Sequence, residues 1–299
     1  MLSLGTNTVR LLVVHDETDG AVEQLEHRQI GTRLGEGLRD GGLLAPAAIE
    51  RTLAAAAEFA AVAHDYAATL VCIATSAMRR ADDAIAFGER IFAATGAPLR
   101  ILSGEEEAAA SYRGATYGVP HDGRRIAVLD IGGGSTECAV GCDGALLETS
   151  SIEIGSVRVA ERFPALLGAD PGDAAHTAAI AARVEIARVI EPFGALAPIA
   201  QLRCVAGTPL TIAAVIAGSH VDEVSGSTLT REALDAAIVR LLDLHVDERR
   251  VLAGMLAQRA DIIVGGGLVL SEAMRVLGVA EGLLESNDLL LGILLSPDR

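Results

Sequence analysis

Apolar residues recur along the chain in two alternating patterns. Short apolar runs bounded by polar or glycine positions, such as 69–74 and 126–129, predict buried strands. Longer segments carry apolar residues at helical spacing, as in 46–64, where Ile49, Leu53 and Phe59 share one face. Because strands alternate with helices of this length, the sequence predicts an α/β protein.

The same patterns predict the order of the elements. The predicted strands are 11–14, 69–74, 99–102, 126–129, 202–206 and 262–264. The predicted helices are 46–64, 82–93, one that begins after Ser103, 231–242 and 268–277.

An internal similarity divides the chain. Segment 3–8 leads into the apolar run 11–14, and segment 130–135 leads into 136–140; both predict a strand, a tight glycine turn and a second strand. The two segments begin 127 residues apart, which is close to half of the chain. We therefore expect two lobes, 1–122 and 123–299, and leave open whether the last helix packs back on the first lobe. Chance similarity of two hairpins is the alternative.

Composition and charge narrow the class of protein. Of the 299 residues 51% are hydrophobic, which suffices for a large core, and no apolar stretch is long enough to predict a membrane span. No secretory signal pattern is visible at the N-terminus, so a cytoplasmic location is expected. The four cysteines match no zinc or redox spacing, and buried reduced thiols are expected.

The net charge is −16, and the chain contains no lysine, so every one of its 24 basic residues is an arginine. An acidic surface argues against a nucleic-acid partner. Without lysine the chain cannot contain a Walker phosphate loop, whose Gly-Lys-Ser/Thr core requires the ammonium group. A phosphate site in this protein must therefore use backbone amides, hydroxyls, arginine or a metal ion.

The segment 130–137, Asp-Ile-Gly-Gly-Gly-Ser-Thr-Glu, is the strongest local signal for chemistry. Its glycines allow the backbone to approach an anion, and Ser135 adds a hydroxyl donor. Asp130 ends one apolar strand and Glu137 begins the next, so both can offer carboxylate oxygens to Mg²⁺ or another divalent cation. The alternative is a glycine hairpin whose acidic residues are merely solvated.

The segment 103–107, Ser-Gly-Glu-Glu-Glu, is more ambiguous. Ser103 and Glu106 have the spacing of a capping box, and acidic residues in a first helical turn complement the helix dipole. A helix start alone would explain that pattern. A carboxylate beside a phosphate site could also deprotonate water, and because capping accounts for Glu106, Glu107 is the better candidate for a base.

Two further glycine segments follow predicted strands and precede predicted helices. In Gly207-Thr208-Pro209 and in the glycines at 265–267, helix N-terminal amides could face a bound anion. Tight packing between strand and helix is the alternative for both. Among the arginines, Arg79 stands out because it follows the strand 69–74 through a Thr-Ser turn.

These segments together resemble the exopolyphosphatase and guanosine pentaphosphate phosphatase family of the actin-like, sugar-kinase-like superfamily. The resemblance is carried, in order along the chain, by 4–11, 33–37, 74–79, 103–108, 130–137, 154–158, 259–263 and 265–267. It implies an α/β fold of two actin-like (ribonuclease-H-like) lobes with an active-site cleft between them. It also implies the short form of the family, without additional helical domains.

The resemblance further implies an activity and a set of site residues. Family members remove the terminal phosphate of inorganic polyphosphate or of guanosine pentaphosphate. Glu107 corresponds to the presumed base, and Asp130 and Glu137 correspond to the presumed metal ligands, with Mg²⁺ or another divalent cation as cofactor. The substrate-binding residues expected are Thr6, Asn7, Arg10, Arg79, Gly133, Gly134, Ser135, Gly207 and Thr208. A homodimer that binds neither nucleic acid nor membrane is expected.

One departure from the family pattern keeps other functions open. The family usually has aspartate where this chain has Ser3, so one carboxylate is missing. A catalytically impaired protein that binds such anions as a sensor is one alternative. A kinase or ATPase of the same superfamily is the other, although Glu107 in its motif argues against it.

Overall fold

The computed structural model describes residues 1–16 and 22–296. Its strands are β1 (Leu2–Leu4), β2 (Thr8–Asp16), β3 (Val22–Gly31), β4 (Cys72–Ala74), β5 (Leu99–Ile101), β6 (Arg125–Ile131), β7 (Thr136–Cys142), β8 (Ala145–Ile152), β9 (Gln201–Val205), β10 (Thr228–Thr230) and β11 (Glu281–Leu284).

Helices connect and cover these strands. They are α1 (Pro46–Asp65), α2 (Ser76–Arg80), α3 (Ala84–Thr95), α4 (Gly104–Ala115), α5 (Ser156–Arg162), α6 (Asp173–Val189), α7 (Gly207–Ala217), α8 (Arg231–Leu242), α9 (Val246–Arg250), α10 (Ile263–Val276) and α11 (Leu289–Leu294). Short 3₁₀ helices occur at Pro164–Leu167, Glu191–Leu196, Val221–Glu223 and Ala257–Arg259.

The first sheet has the order β3-β2-β1-β4-β5. Strands β1 to β3 form an antiparallel meander, and β4 and β5 extend the sheet in parallel with β1. Its core includes Leu2 and Leu11 from the sheet and Phe59 and Phe87 from α1 and α3. The helical spacing in 46–64 therefore correctly identified the helix that covers this sheet.

The second sheet has the order β10-β11-β9-β6-β7-β8. Strands β6 to β8 again form an antiparallel meander, and β9 and β11 again extend it in parallel with β6. Five strands of this sheet thus match the first sheet in order and direction, and β10 is an antiparallel addition. The α/β class and the two lobes of ribonuclease-H-like topology are confirmed.

The two hairpins that suggested the internal repeat share their turn geometry. In the first, the Gly5 amide donates to the Thr8 carbonyl at 3.0 Å; in the second, the Gly132 amide donates to the Ser135 carbonyl at 3.0 Å. A Cβ atom added to Gly5 or Gly132 would lie 3.1 Å from the same carbonyl oxygen in each case. The similarity between the two segments therefore reflects a shared structure.

The chain forms two compact units. Among the described residues, one comprises those up to Ser103 together with 293–296, and the other comprises Gly104–Gly292. The division lies between Ser103 and Gly104, ahead of the expected division between 122 and 123. Helix α4 belongs to the second unit because it packs on β6, β7 and β8.

The predicted strand 262–264 is wrong, because Ile263–Val276 forms the single helix α10. The glycines at 265–267 lie inside this helix and do not form a loop. A Cβ atom on Gly265 would lie 2.9 Å from the Ser156 carbonyl, and one on Gly266 would lie 2.7 Å from the Thr208 side chain. Glycine is needed here for close packing of α5 and α7, the alternative that the sequence had left open.

Other predicted elements agree with the structure to within a few residues. Helix α8 has the predicted bounds, whereas the strand predicted at 69–74 is reduced to Cys72–Ala74 and the short helix α2 was not predicted.

The thiols of Cys72, Cys138 and Cys204 are free and buried, and that of Cys142 is half-buried. No helix among the described residues combines the length and the apolar character that a membrane crossing requires.

Helix α4 and the start of α11 approach so closely that both contact positions are glycine. A Cβ atom on Gly114 would overlap the Asp288 carbonyl, and one on Gly292 would overlap the Ala110 carbonyl. We expect Gly114→Ala to destabilise the protein by about 1–3 kcal/mol, because the overlap involves main-chain atoms that cannot rotate away. Thermal or urea unfolding measures this loss.

Gly88 in α3 provides the matched control. An added Cβ there would meet only the Leu99 Cβ, at 4.0 Å. Gly88→Ala should therefore leave stability unchanged or raise it by up to about 1 kcal/mol through helix propensity. Equal destabilisation by both substitutions would contradict the packing argument.

Candidate active site

The second hairpin places two carboxylates side by side. Asp130 on β6 and Glu137 on β7 are directly opposite in the antiparallel register, so their side chains emerge on the same face of the sheet. Asp130 is 6% exposed and Glu137 is 1% exposed. Two acidic groups that are shielded from water on one face need compensating donors or a cation.

Serine hydroxyls supply donors to both carboxylates. Ser111 on α4 donates to Asp130 Oδ2 at 2.5 Å, and Ser151 on β8 donates to Glu137 Oε1 at 2.7 Å. Ser151 is the register partner of Glu137 on the next strand. Neither serine was identified from the sequence, because each one becomes recognisable only through its contact with a distant carboxylate.

Glu107 lies in the first turn of α4, four residues before Ser111 and therefore on the same helix face. It is 6% exposed, whereas the neighbouring Glu105 and Glu106 are exposed. Burial thus distinguishes Glu107 from the other two acidic residues of its segment.

The negative charges of Glu107 and Asp130 affect the pKa of Glu137. Burial is the largest cause that raises the pKa of Glu137 well above its usual range, followed by the negative charges of Glu107 and then Asp130. Hydrogen bonds from Ser151 and Ser135 act in the opposite direction without reversing the shift. The three carboxylates therefore form one electrostatic cluster in which the charged form of Glu137 is disfavoured.

Such a cluster fits a hard divalent cation. In the described part of the chain, no three His, Cys, Asp or Glu side chains already have the spacing of a complete metal site. Mg²⁺ does not require one, since it is commonly held by one or two carboxylates, water and substrate phosphates. Asp130 and Glu137 have the carboxylate oxygens that suit this ion.

The glycine turn between β6 and β7 is anchored by α5. The Ser156 amide donates to the Gly132 carbonyl at 3.0 Å, and the Val157 amide donates to the Gly133 carbonyl at 2.9 Å. Among the described residues, no main-chain carbonyl accepts from the amides of Gly133 or Gly134. The turn thus has a fixed conformation with amides that remain available for an anion.

A helix N-terminus lies beside the glycine turn. Strand β9 pairs with β6 so that Val205 is opposite Asp130, and α7 starts two residues later at Gly207. Ala206 between them has φ 69°, a strained value for a residue with a side chain. Thr208 is 1% exposed, and its Oγ1 has no hydrogen-bond partner among the described residues. Both features occur where a helix N-terminus could meet a phosphate.

Arg259 is a residue of this region that the site prediction missed. It is 7% exposed, and its guanidinium lies so close to Gly207 that a Cβ atom on that glycine would overlap it. The signal was present in the sequence, since segment 259–263 contributed to the family resemblance. Only the fold shows that this arginine lies beside the start of α7.

The remaining predicted residues lie in the first unit. Thr6 and Asn7 are buried in the turn between β1 and β2, where the Asn7 carbonyl accepts from the amides of Thr32 and Arg33. Arg10 on β2 is the register partner of Ser3.

Arg79 of α2 donates to the Leu102 carbonyl at 3.1 Å. The structure thus brings together Glu107, Asp130, Glu137 and the glycine turn within the second unit. The catalytic, metal-binding and substrate-binding roles of all the predicted site residues stay predictions.

Comparison with known proteins places this chain in a family. The model of the Ppx/GppA phosphatase family matches residues 13–295. Exopolyphosphatase 2 of Mycobacterium tuberculosis is 31% identical over 319 residues, which cover 99% of this chain and 97% of that protein.

Solved structures agree over the same length. The crystal structure of an exopolyphosphatase-like protein superposes with a TM-score of 0.88 at 27% identity and covers 99% of this chain and 97% of that one. The fold is also shared by an exopolyphosphatase of Cytophaga hutchinsonii, with a TM-score of 0.87, 23% identity and coverage of 98% and 95%. From the matched family model and the near full-length relative, this chain belongs to the Ppx/GppA phosphatase family.

Proposed function

We propose that this protein is a divalent-metal-dependent phosphohydrolase that releases the terminal orthophosphate of inorganic polyphosphate. The observation that carries the proposal is the cluster of three buried carboxylates, Glu107, Asp130 and Glu137, beside a glycine turn with available amides. The name of the mycobacterial relative, which this chain matches over nearly its whole length, supports polyphosphate as substrate. Guanosine pentaphosphate is the second candidate substrate, because another relative of this chain is named for acting on it.

The residues divide the chemical work. Glu107 accepts a proton from the attacking water as the new P–O bond forms and the bridging P–O bond to the rest of the chain breaks. Gly133, Gly134 and Ser135 hold the oxygens of the phosphoryl group that is transferred, and Gly207 and Thr208 contact the phosphates that follow. Asp130 and Glu137 would hold Mg²⁺, which would supply positive charge to the phosphate oxygens.

Arg259 adds a positive charge to a chain whose net charge is −16. A polyanion approaching such a protein is repelled at long range, so local cations have to offset this repulsion. The guanidinium against Gly207 can pair with phosphate oxygens through two parallel hydrogen bonds.

A direct assay tests the function. Purified protein at millimolar Mg²⁺ should release orthophosphate from long-chain polyphosphate faster than from guanosine pentaphosphate, and a chelator should abolish both activities. Faster release from the nucleotide would assign the second substrate. Absence of release from either would favour the anion-binding sensor, and phosphate transfer from ATP to an acceptor would favour the kinase.

Glu107→Gln should lower turnover by about 10²–10⁴-fold, because it removes a positioned base while preserving shape. The matched control is Glu106→Gln, which changes the adjacent, exposed carboxylate in the same helical turn. Circular dichroism and steady-state phosphate release compare the three proteins. Near-normal turnover of Glu107→Gln would reduce Glu107 to a helix-start residue.

The raised pKa of Glu137 makes metal-free stability depend on pH. Because the folded state binds this proton more tightly than the unfolded state, the group stabilises the fold below its unfolded pKa, and this contribution is lost as pH rises through the folded pKa. Glu137→Gln cannot ionise. In chelator-treated protein it should therefore melt higher than the parent, by more at pH 8 than at pH 5.

At pH 8, Mg²⁺ should make the parent melt higher than Glu137→Gln. The parent binds the ion and is stabilised by it, whereas the variant binds it more weakly. Melting curves at the two pH values, with and without Mg²⁺, provide the comparison. A difference between the two proteins that does not vary with pH or metal would remove Glu137 from the cation site.

A further inference from the structure

We propose that Ser111 and Ser151 are positioning residues that hold helix α4, and with it Glu107, in fixed relation to the carboxylates of Asp130 and Glu137. The inference deepens the proposed function, on which its catalytic consequences rest. Its structural part concerns only how four neighbouring elements of the second unit are held together.

A ring of contacts connects α4, β6, β7 and β8. From α4, Ser111 donates to Asp130 on β6; Asp130 pairs in register with Glu137 on β7; and Glu137 accepts from Ser151 on β8. The Ser151 side chain in turn lies against Gly104 of α4, so the chain of contacts ends on the helix where it began.

Helix α4 is therefore fixed at two points on one side. At its first residue, any side chain larger than that of glycine would overlap Ser151. Two turns later, the hydrogen bond of Ser111 ties it to Asp130. Glu107 lies between these two points on the helix face that carries Ser111. Small displacements of α4 would move the carboxylate of Glu107 relative to the other two.

Hydroxyl donors suit this task for an electrostatic reason. Three neighbouring carboxylates repel one another and tend to separate. A serine O–H donates a charge-assisted hydrogen bond that restrains a carboxylate without adding a positive charge that would compete with the cation. Partners of this kind typically change metal affinity or activity by about 10–100-fold when they are removed.

Ser271 offers a matched control. Its hydroxyl donates to Asp235 Oδ1 at 2.7 Å, and it is 2% exposed, which compares with 1% for Ser111. The pair links α10 to α8 and has no contact with the carboxylate cluster among those described. Ser271→Ala thus removes a hydrogen bond from serine to carboxylate at a different place in the same unit, together with one that the hydroxyl accepts from Arg183 at 2.9 Å.

The experiment combines a structural and a catalytic readout on Ser111→Ala, Ser151→Ala and Ser271→Ala. In chelator-treated protein, hydrogen exchange of peptides covering 104–115 should be faster in the first two variants and unchanged in the third. Calorimetric titration with Mg²⁺ should show affinity reduced by about 10-fold or more in the first two only. Their kcat should fall while KM for polyphosphate stays unchanged, because the serines contact carboxylates and not substrate.

Exchange in α4, Mg²⁺ affinity and kcat that all stay at the parent level in Ser111→Ala and Ser151→Ala would overturn the inference. Equal changes in Ser271→Ala would overturn it as well, since they would reflect a general loss of stability. If the parent protein released no phosphate from either substrate, the proposed function would fail, while exchange in the metal-free protein would still decide whether the serines hold α4.

Discussion

The mutual repulsion of three buried carboxylates is the constraint around which the second unit is built. Glu107, Asp130 and Glu137 are each less than a tenth exposed, and their charges combine with burial to raise the pKa of Glu137. Burial of like charges costs free energy that the fold must offset elsewhere. The hydroxyls of Ser111 and Ser151 reduce that cost by donating to Asp130 and Glu137. A divalent cation bound at the proposed site would reduce it further.

Close packing makes this arrangement possible. Glycine at 104 brings α4 against β8, and glycines at 265 and 266 bring α10 against α5 and α7. Side chains at these positions would separate the elements whose termini form the site. Glycines, which have no functional groups of their own, therefore set the spacing of the elements around the candidate site.

Part of this could be predicted from the sequence. Helical spacing identified α1 and α8, and the glycine segment at 130–137 identified the hairpin that carries Asp130 and Glu137. The resemblance then assigned the family, which the comparisons confirmed. The capping argument favoured Glu107 over Glu106 as the base. The structure agrees in that Glu107 is buried and Glu106 is exposed.

The rest could not be predicted, for physical reasons. Helix α10 is buried on nearly all sides, so its first turns show no polar face, and Ile262–Ile263–Val264 before three glycines has the composition of a strand and a loop. Ser111, Ser151 and Arg259 act through contacts with residues distant in sequence, and local patterns contain no information on such contacts. The start of the second unit at Gly104 depends in the same way on the packing of α4.

The two hairpins share their backbone geometry but differ in the side chains at equivalent positions. Ser3 and Arg10 form a register pair in the first hairpin at the positions that Asp130 and Glu137 occupy in the second. One copy of the same backbone frame therefore presents a hydroxyl and a cation, and the other presents two anions. The two hairpins are thus chemically unlike at equivalent positions: a chain made of two second halves would duplicate the anionic pair and lose the arginine.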